Sequence, residues 1–470
     1  MKPIAAWALL AAALLTGCAP YKYRAAPISP AALAHGLYSR SLDDPDLRSW
    51  MKQNANFQTA AWPLKTWDLN SLILAAYYFN PDLDVARANV ASAEAAIQTA
   101  AMKPNPSVGV GPGYETVPGA PFIMGVDFSL PIETAGRRGY RIANATHLGR
   151  ASRLQLAQTA WVVRSRVRSA FVDYLFAEKV AGLLRAQESL QSKYAQIIET
   201  RFSAGEIALP EVTIARIDLT NLRQALRIAE GQVNTTHAAL AAAIGIPDSA
   251  LDGKTLTWPE LDHLPAFAAL PSRTIHEAAV LNRLDVRRAL EQYQAAQSNL
   301  QLQAALQYPD INIGPGYAYE EGYHLLSLRL SSILPLRNHN EGPIAEAEAQ
   351  RKVAGAQLLA VQSTVISDSD KALAQYKAAY ATLQESTHSV SELEQQQRTA
   401  NRLLQSGETE KFTVIAAEVQ TAVAQRARLD AQHQAQLSLG FLEDALQRPI
   451  DPGITPAFHE SHHDSTRSHR

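Results

Sequence analysis

The sequence predicts a mainly helical chain of two internal repeats, lending four strands to a membrane β-barrel that only further copies of the chain can complete. Three observations predict it. The chain repeats itself at a spacing of about 200 residues. Each copy carries a pair of period-two strands beside prolines. Each copy also carries helical stretches too long to bury themselves in a globule.

Composition narrows the classes first. Of 470 residues, 19% are charged and 47% hydrophobic, with 43 basic against 45 acidic residues and a net charge of -2. Beyond the N-terminus no run of about 18 apolar residues occurs, so a polytopic helical membrane protein is excluded. The hydrophobic share argues against global disorder, and the charge balance against a nucleic-acid binder. A single cysteine excludes an internal disulfide and any cysteine-rich metal site.

That cysteine ends an export signal. Met1-Lys2 is a short basic start, and Ile4 to Leu15 is an apolar stretch too short to span a bilayer. Leu15-Thr16-Gly17-Cys18 follows, the pattern of a bacterial lipobox, so residues 1–17 read as a signal peptide and Cys18 as the lipidated first residue of the mature chain. Ala19 stands where an inner-membrane retention signal would carry Asp, which favours outer-membrane delivery.

The duplication rests on four anchors in the same order. Pro106–Tyr114 reappears as Pro309–Tyr317, Leu83-Asp84-Val85 as Leu284-Asp285-Val286, Leu130-Pro131 as Leu334-Pro335, and Gly205-Glu206 as Gly407-Glu408. In copy one, Asp68 to Met102 is Ala-rich and reads as helix. Val108, Val110 and Tyr114 then alternate with glycine, and Met124, Val126, Phe128 and Leu130 alternate with Gly125, Asp127 and Ser129; period two argues strand. Val117–Pro121 is the turn between them. In copy two, Leu326, Leu328 and Leu330 alternate with Ser327, Arg329 and Ser331, after a turn at Glu320–Gly322. Pro131 and Pro335 are expected to close the second strands. A proline-free run from about Arg141 to Ser203 would make a helix of roughly 90 Å. The return helix explains its stability. Val212, Ala215, Leu219, Leu222, Leu226, Ala229, Val233, Thr236, Leu240 and Ala243 recur at spacings of three and four, a coiled-coil seam.

Four strands cannot close a barrel, and open strand edges are not tolerated in lipid. Oligomerisation is therefore required. Three copies would give twelve strands and bring the long helices side by side into a tube, a trimeric α-helical barrel on a shared 12-stranded β-barrel.

With lipobox, duplication, paired strands and helical hairpins in place, the chain resembles the TolC-like outer-membrane efflux proteins, in particular the lipoprotein outer-membrane factors of RND tripartite pumps. The resemblance implies a passive, non-enzymatic homotrimeric duct in the outer membrane, lipid-anchored and extending into the periplasm. It also implies a periplasmic adaptor and an inner-membrane RND-type pump as partners, no cofactor, and export of small molecules or metal cations. Its most specific motif is the hairpin turn, Gly205–Val212 and Gly407–Val414. In such proteins these turns form the periplasmic tip, which assigns adaptor contact to Gly205, Glu206, Glu211, Val212, Gly407, Glu408, Glu410 and Val414. Three copies would gather twelve carboxylates there. Thr413 stands where an acidic residue is common, and Ala416 where some members carry Asp, so copy two departs from the pattern.

The expected organisation is signal peptide 1–17, lipidated equatorial segment 18–67, repeat one 68–247, Pro-rich inter-repeat segment 248–270, repeat two 271–450 and tail 451–470. Trp50, Trp62 and Trp67 read as packing anchors. His459, His462, His463 and His469 crowd the last twelve residues; such a tract can bind metal, but a polar tail is the plainer reading. No P-loop, His-Glu-x-x-His or Gly-x-Ser-x-Gly motif occurs. A lipidated periplasmic adaptor is the rival reading; it would need a β-rich lipoyl-like domain flanking one hairpin, whereas this chain has two hairpins and two strand pairs.

Overall fold

The computed structural model describes residues 22–55, 61–114, 116, 122–266, 283–320 and 323–450. Cys18 and the signal peptide, the strand turn at Val117–Pro121, most of the turn at Glu320–Gly322 and the histidine-rich tail lie outside the described residues.

Residues up to Arg40 form a unit of their own. Within it helix α1, Pro30–Tyr38, starts on Ser29, whose hydroxyl accepts from Ala32 N. Everything from Ser41 on is a second unit. In chain order its elements are α2 (Pro45–Ala55), β1 (Thr66–Trp67), α3 (Leu69–Phe79), α4 (Pro81–Ala101), β2 (Ser107–Tyr114), β3 (Phe122–Ile132), α5 (Arg137–Ser203), α6 (Leu209–Ile244), β4 (Thr255–Leu256), α7 (Leu284–Ala305), β5 (Ile311–Glu320), β6 (Tyr323–Ser332), α8 (Glu341–Gln405) and α9 (Lys411–Leu446).

The helix expected from Asp68 to Met102 is two helices. A capping box starts the first: Asp68 accepts from Ser71 N at 2.8 Å and Ser71 Oγ accepts from Asp68 N at 2.9 Å. It ends because Pro81 has no N–H to continue it. Asn80 turns extended there and caps α4, accepting from Asp82 N. Its amide also donates to Ala243 O at the far end of α6, 3.1 Å away. The end of α6 thus abuts the start of α4. Gly245, at φ +91°, ends α6, and a Cβ there would fall 3.0 Å from the Phe79 carbonyl oxygen. In repeat two the corresponding residue is Gln447, at φ +47°. There Arg283 donates to Ala445 O and Gln447 accepts from Leu284 N.

The seam read from sequence is where the helices meet. Val212, Ala215, Ala229, Thr236 and Leu240 are buried against α5, with Leu219, Leu222, Leu226 and Val233 partly so. The long helix α5 has neighbours on both flanks: α4 and α7 towards the strands, α6 and α9 farther along. Helix α8 packs principally on α7 and α9 alone. The difference shows in burial, since α5 buries twenty of its 67 residues and α8 only eight of its 65. Large apolar side chains stay exposed on the outer helices, among them Ile214, Ile217 and Ile228 on α6 and Val353, Leu359 and Ile366 on α8.

The two strand pairs join into one antiparallel sheet in the order β2-β3-β5-β6. Pro131 lies within β3, opposite Asn312, rather than closing it; with no N–H to give, it merely forgoes one ladder bond near the strand end. Ladder pairing between β3 and β5 lapses between Asp127↔Gly316 and Leu130↔Ile313. Pro315 has no donor there, and the backbones close in until a Cβ on Gly314 would fall 1.6 Å from the Phe128 carbonyl oxygen. Only glycine fits that position. The register puts Val108, Val110, Val126, Phe128, Ile313, Tyr317, Leu326, Leu328 and Leu330 on one face. The opposite face carries mostly glycine, serine, asparagine and a few charges, with Ile123, Tyr323 and Leu325 near the turn end. Leu326 and Leu328 are 82% and 74% exposed, so in a single chain the apolar face is bare.

Between the helical layers sits the main core. Trp67 is fully buried, its ring edge-on to Trp62, and Leu42, Leu47, Met51, Leu72, Val163, Phe171, Leu240 and Leu261 gather round it. Trp50 leans on Tyr78 at 5.9 Å. The three tryptophans pack as expected. Strand β1 pairs in parallel with β4, tying the N-terminal segment to the inter-repeat one.

Where α5 meets α9 the core turns ionic. Arg164 and Arg168 are buried and share Glu443 at 3.1 and 3.3 Å. Gly440 leaves room for the Arg168 guanidinium; a Cβ there would meet Nη1 at 2.4 Å. Trp161 and Ser165 donate to Asp444. Burial raises the Asp444 pKa, opposed by those two hydrogen bonds and by Arg164, with Glu443 adding to the rise. The two acids should therefore respond differently. Glu443→Gln leaves buried guanidinium charge uncompensated and should cost roughly 3–5 kcal/mol. Asp444→Asn should cost less than about 1 kcal/mol. A raised pKa means the folded chain holds the proton longer than the unfolded one. Ionised Asp444 therefore costs stability that is absent below the ordinary carboxylate range and grows as pH rises through its folded value. Denaturant titrations from acid to neutral pH should show that slope flattened in Asp444→Asn.

Candidate functional site

The two hairpin turns are built alike. At the end of α5, Glu206 N donates to Arg201 O and Gly205 N to Phe202 O, both at 2.9 Å, with Gly205 at φ +76°. At the end of α8, Glu408 N donates to Leu403 O at 2.9 Å and Gly407 N to Leu404 O at 3.2 Å, with Gly407 at φ +78°. These are glycine-terminated Schellman closures, needing a left-handed residue where glycine costs least. Open space surrounds both glycines. Neither return helix has a side-chain cap; Ala208 and Glu410 occupy the cap positions. A carboxylate at the start of α9 still favours the helix dipole.

Of the eight residues read as the tip, the structure brings six to the surface. Gly205, Glu206, Glu211, Gly407, Glu408 and Glu410 are exposed. Val212 and Val414 are not: each is buried inside its own hairpin, so they hold the turns shut and offer a partner no surface. The four glutamates do not form a free carboxylate cluster either. Arg201 pairs with Glu206 at 3.0 Å and reaches Glu410 at 3.7 Å, which joins the two turns and offsets part of their charge. The Arg201 guanidinium also lies over the Phe412 ring at 5.5 Å, and Phe412 stacks on Tyr194 at 5.1 Å. Burial, then the charges of Asp218 and Glu211, raises the Tyr194 pKa, so the phenol stays protonated.

Arg201, Phe412 and Tyr194 were missed by reading the repeat. The signal lay where the copies differ: their counterparts at the repeat spacing are Leu403, Pro210 and Gln396. Residues that tie one copy to the other have no reason to be the same in both.

Residues 72–246 match the family described as outer membrane efflux protein. That stretch runs from α3 to the end of α6, the first of the two repeats. The resemblance drawn from the sequence is found again in that match, and the strands, long helices and turns of the first half recur in the second. The cobalt-zinc-cadmium resistance protein CzcC of Cupriavidus metallidurans is 24% identical over 303 residues, 64% of this chain and 70% of its own length. Two solved structures share the fold. The outer membrane protein VceC of Vibrio cholerae superposes with a TM-score of 0.65 at 19% identity, over 86% of this chain and 98% of that one. CusC gives 0.65 at 16% identity, over 91% and 98%.

The turn geometry is testable apart from any partner. Gly205→Val or Gly407→Val meets no neighbour, so the penalty is backbone strain of about 1–2 kcal/mol each. Amide exchange should quicken in the affected turn and stay slow along the seam. Arg201→Ala should quicken exchange in both turns together.

Proposed function

We propose that this chain is an outer-membrane efflux protein, one third of a passive exit duct, anchored by lipid at Cys18 and supplied through a periplasmic adaptor by an inner-membrane RND-type pump. One observation carries the reading. At three successive levels the chain has the same order and the same two free edges: β2-β3-β5-β6, then α4-α5-α7-α8, then α6-α5-α9-α8. Such a slab can be continued only by another copy. Strand β6 runs antiparallel to β2, so β2 of a neighbour extends the sheet in unbroken alternation. Two copies would close eight strands on an interior filled by side chains, while three give twelve and leave a bore. The apolar sheet face then meets lipid, and the exposed isoleucines of α6 meet α8 of the neighbour. The turns at Gly205 and Gly407, a roughly 100 Å helix away from the strands, form the adaptor-facing end.

Mass measurement of the detergent-solubilised complex should return three chains, and a stable monomer with paired strands would contradict the reading. Ile214→Asp with Ile217→Asp should lower trimer yield severalfold at unchanged helix content. Cys18→Ser should abolish labelling by a fatty-acid analogue.

The likeness to a cobalt-zinc-cadmium resistance protein supports divalent transition-metal cations as the exported class. A strain lacking this protein should become sensitive to zinc, cobalt or cadmium salts while its tolerance of organic drugs is unchanged. Sensitivity to drugs alone would assign the duct to small organic molecules.

A further inference from the structure

Resting on the barrel reading, we infer that Arg329 and Asp127 set the electrostatic potential inside the barrel, and that Arg329 narrows its bore. The non-lipid face of the sheet carries mainly small side chains, with Ile123, Tyr323 and Leu325 only towards the turn end. Along it stand Ser107, Gly109, Gly111 and Gly113 of β2, Gly125 and Ser129 of β3, Asn312, Gly314, Gly316 and Ala318 of β5, and Ser327 and Ser331 of β6. Among the described strand residues only three carboxylate or guanidinium groups interrupt this surface: Asp127, Arg329 and, at the turn end of β5, Glu320.

The register places the first two in adjacent rows. Asp127 stands in the row Gly109–Asp127–Gly316–Ser327, and Arg329 is one row away, opposite Gly314. Their postures differ. The Asp127 carboxylate lies flat over Gly109, where a Cβ would fall 2.8 Å from Oδ2. Ser327 Oγ lies likewise over Gly316, 2.6 Å from where a Cβ would be. Arg329 is exposed and makes no ion pair among the described residues. Its partner across the strand is Gly314, with Asn312 and Gly316 to either side on that face, so no bulky side chain props it against the wall. Twelve strands about 4.8 Å apart and tilted by about 40° enclose a radius of roughly 12 Å at the backbone. Three arginines reaching inward take up much of that bore, while three flattened carboxylates take up little. Per chain the face carries two negative groups and one positive. The barrel lumen is therefore mildly cation-favouring, with Arg329 tempering what Asp127 and Glu320 create.

Ser327, in the Asp127 row and next along its strand face to Arg329, is a natural reporter, because the only cysteine of the chain is Cys18. Ser327→Cys would be labelled in outer-membrane vesicles or intact cells by membrane-impermeant methanethiosulfonates, one cationic and one anionic, applied from outside. Leu328→Cys, on the opposite face, serves as control. The ratio of cationic to anionic labelling rates at Ser327→Cys should rise severalfold when Arg329→Ala is added and fall severalfold when Asp127→Asn is added. Because the reagents enter from the barrel side, closure at the hairpin turns does not mask the result. If Leu328→Cys labels as fast as Ser327→Cys, or neither labels, the barrel reading itself is overturned. If Ser327→Cys alone labels but neither charge substitution moves the ratio, the barrel stands and this inference is overturned.

Discussion

In hydrocarbon a peptide N–H or C=O without a partner costs several kcal/mol, since no water can take the partner's place. A four-stranded sheet has two such unpaired edges, and on this chain the apolar face between them is bare. Much else follows from those edges. The helices that enter and leave the sheet repeat its order, so the edge propagates down the molecule as an exposed flank on α6 and another on α8. Burial along the helices records the same constraint: α5, in the middle, is lined with buried residues, and α8, at a flank, is not.

The duplicated halves are alike in backbone and unlike in the side chains that join them. Left-handed residues recur at equivalent points: Gly136 and Asn340 where strand becomes helix, Gly205 and Gly407 at the turns, Gly245 and Gln447 where helices abut. At two of the three the second copy has accepted a non-glycine residue, at a cost in strain. Links between copies fall to unmatched residues. Arg164 and Arg168 of copy one reach Glu443 of copy two, and Arg201 of copy one reaches Glu410 of copy two.

The sequence revealed what is periodic. Strands, seam and the glycine turns each obey a local rule, and the repeat confirmed each by showing it twice. The break at Asn80 was obscured because alanine-rich sequence on both sides hid a single proline whose consequence depends on a cap. The burial of Val212 and Val414 was already implied by their place in the seam, yet their position beside the turn suggested a surface. The ionic core was invisible for a different reason. Nothing in the local pattern around Arg164 or Glu443 distinguishes a guanidinium facing water from one facing a helix that lies 279 residues along the chain.

That distance bears on how the chain is made. One flank of α5 is covered by α9, the last helix among the described residues, so hydrophobic and ionic groups fixed early in synthesis wait for almost the whole polypeptide to follow. Repeat one can assemble its own hairpin at once, through short-range contacts, but it carries Arg164, Arg168 and Phe176 uncovered until the C-terminal helix arrives. Long-range closure of this kind is slow and leaves sticky surface exposed. For a chain made N-terminus first, the time between the appearance of α5 and the arrival of α9 is the period in which it most needs shelter from its own copies.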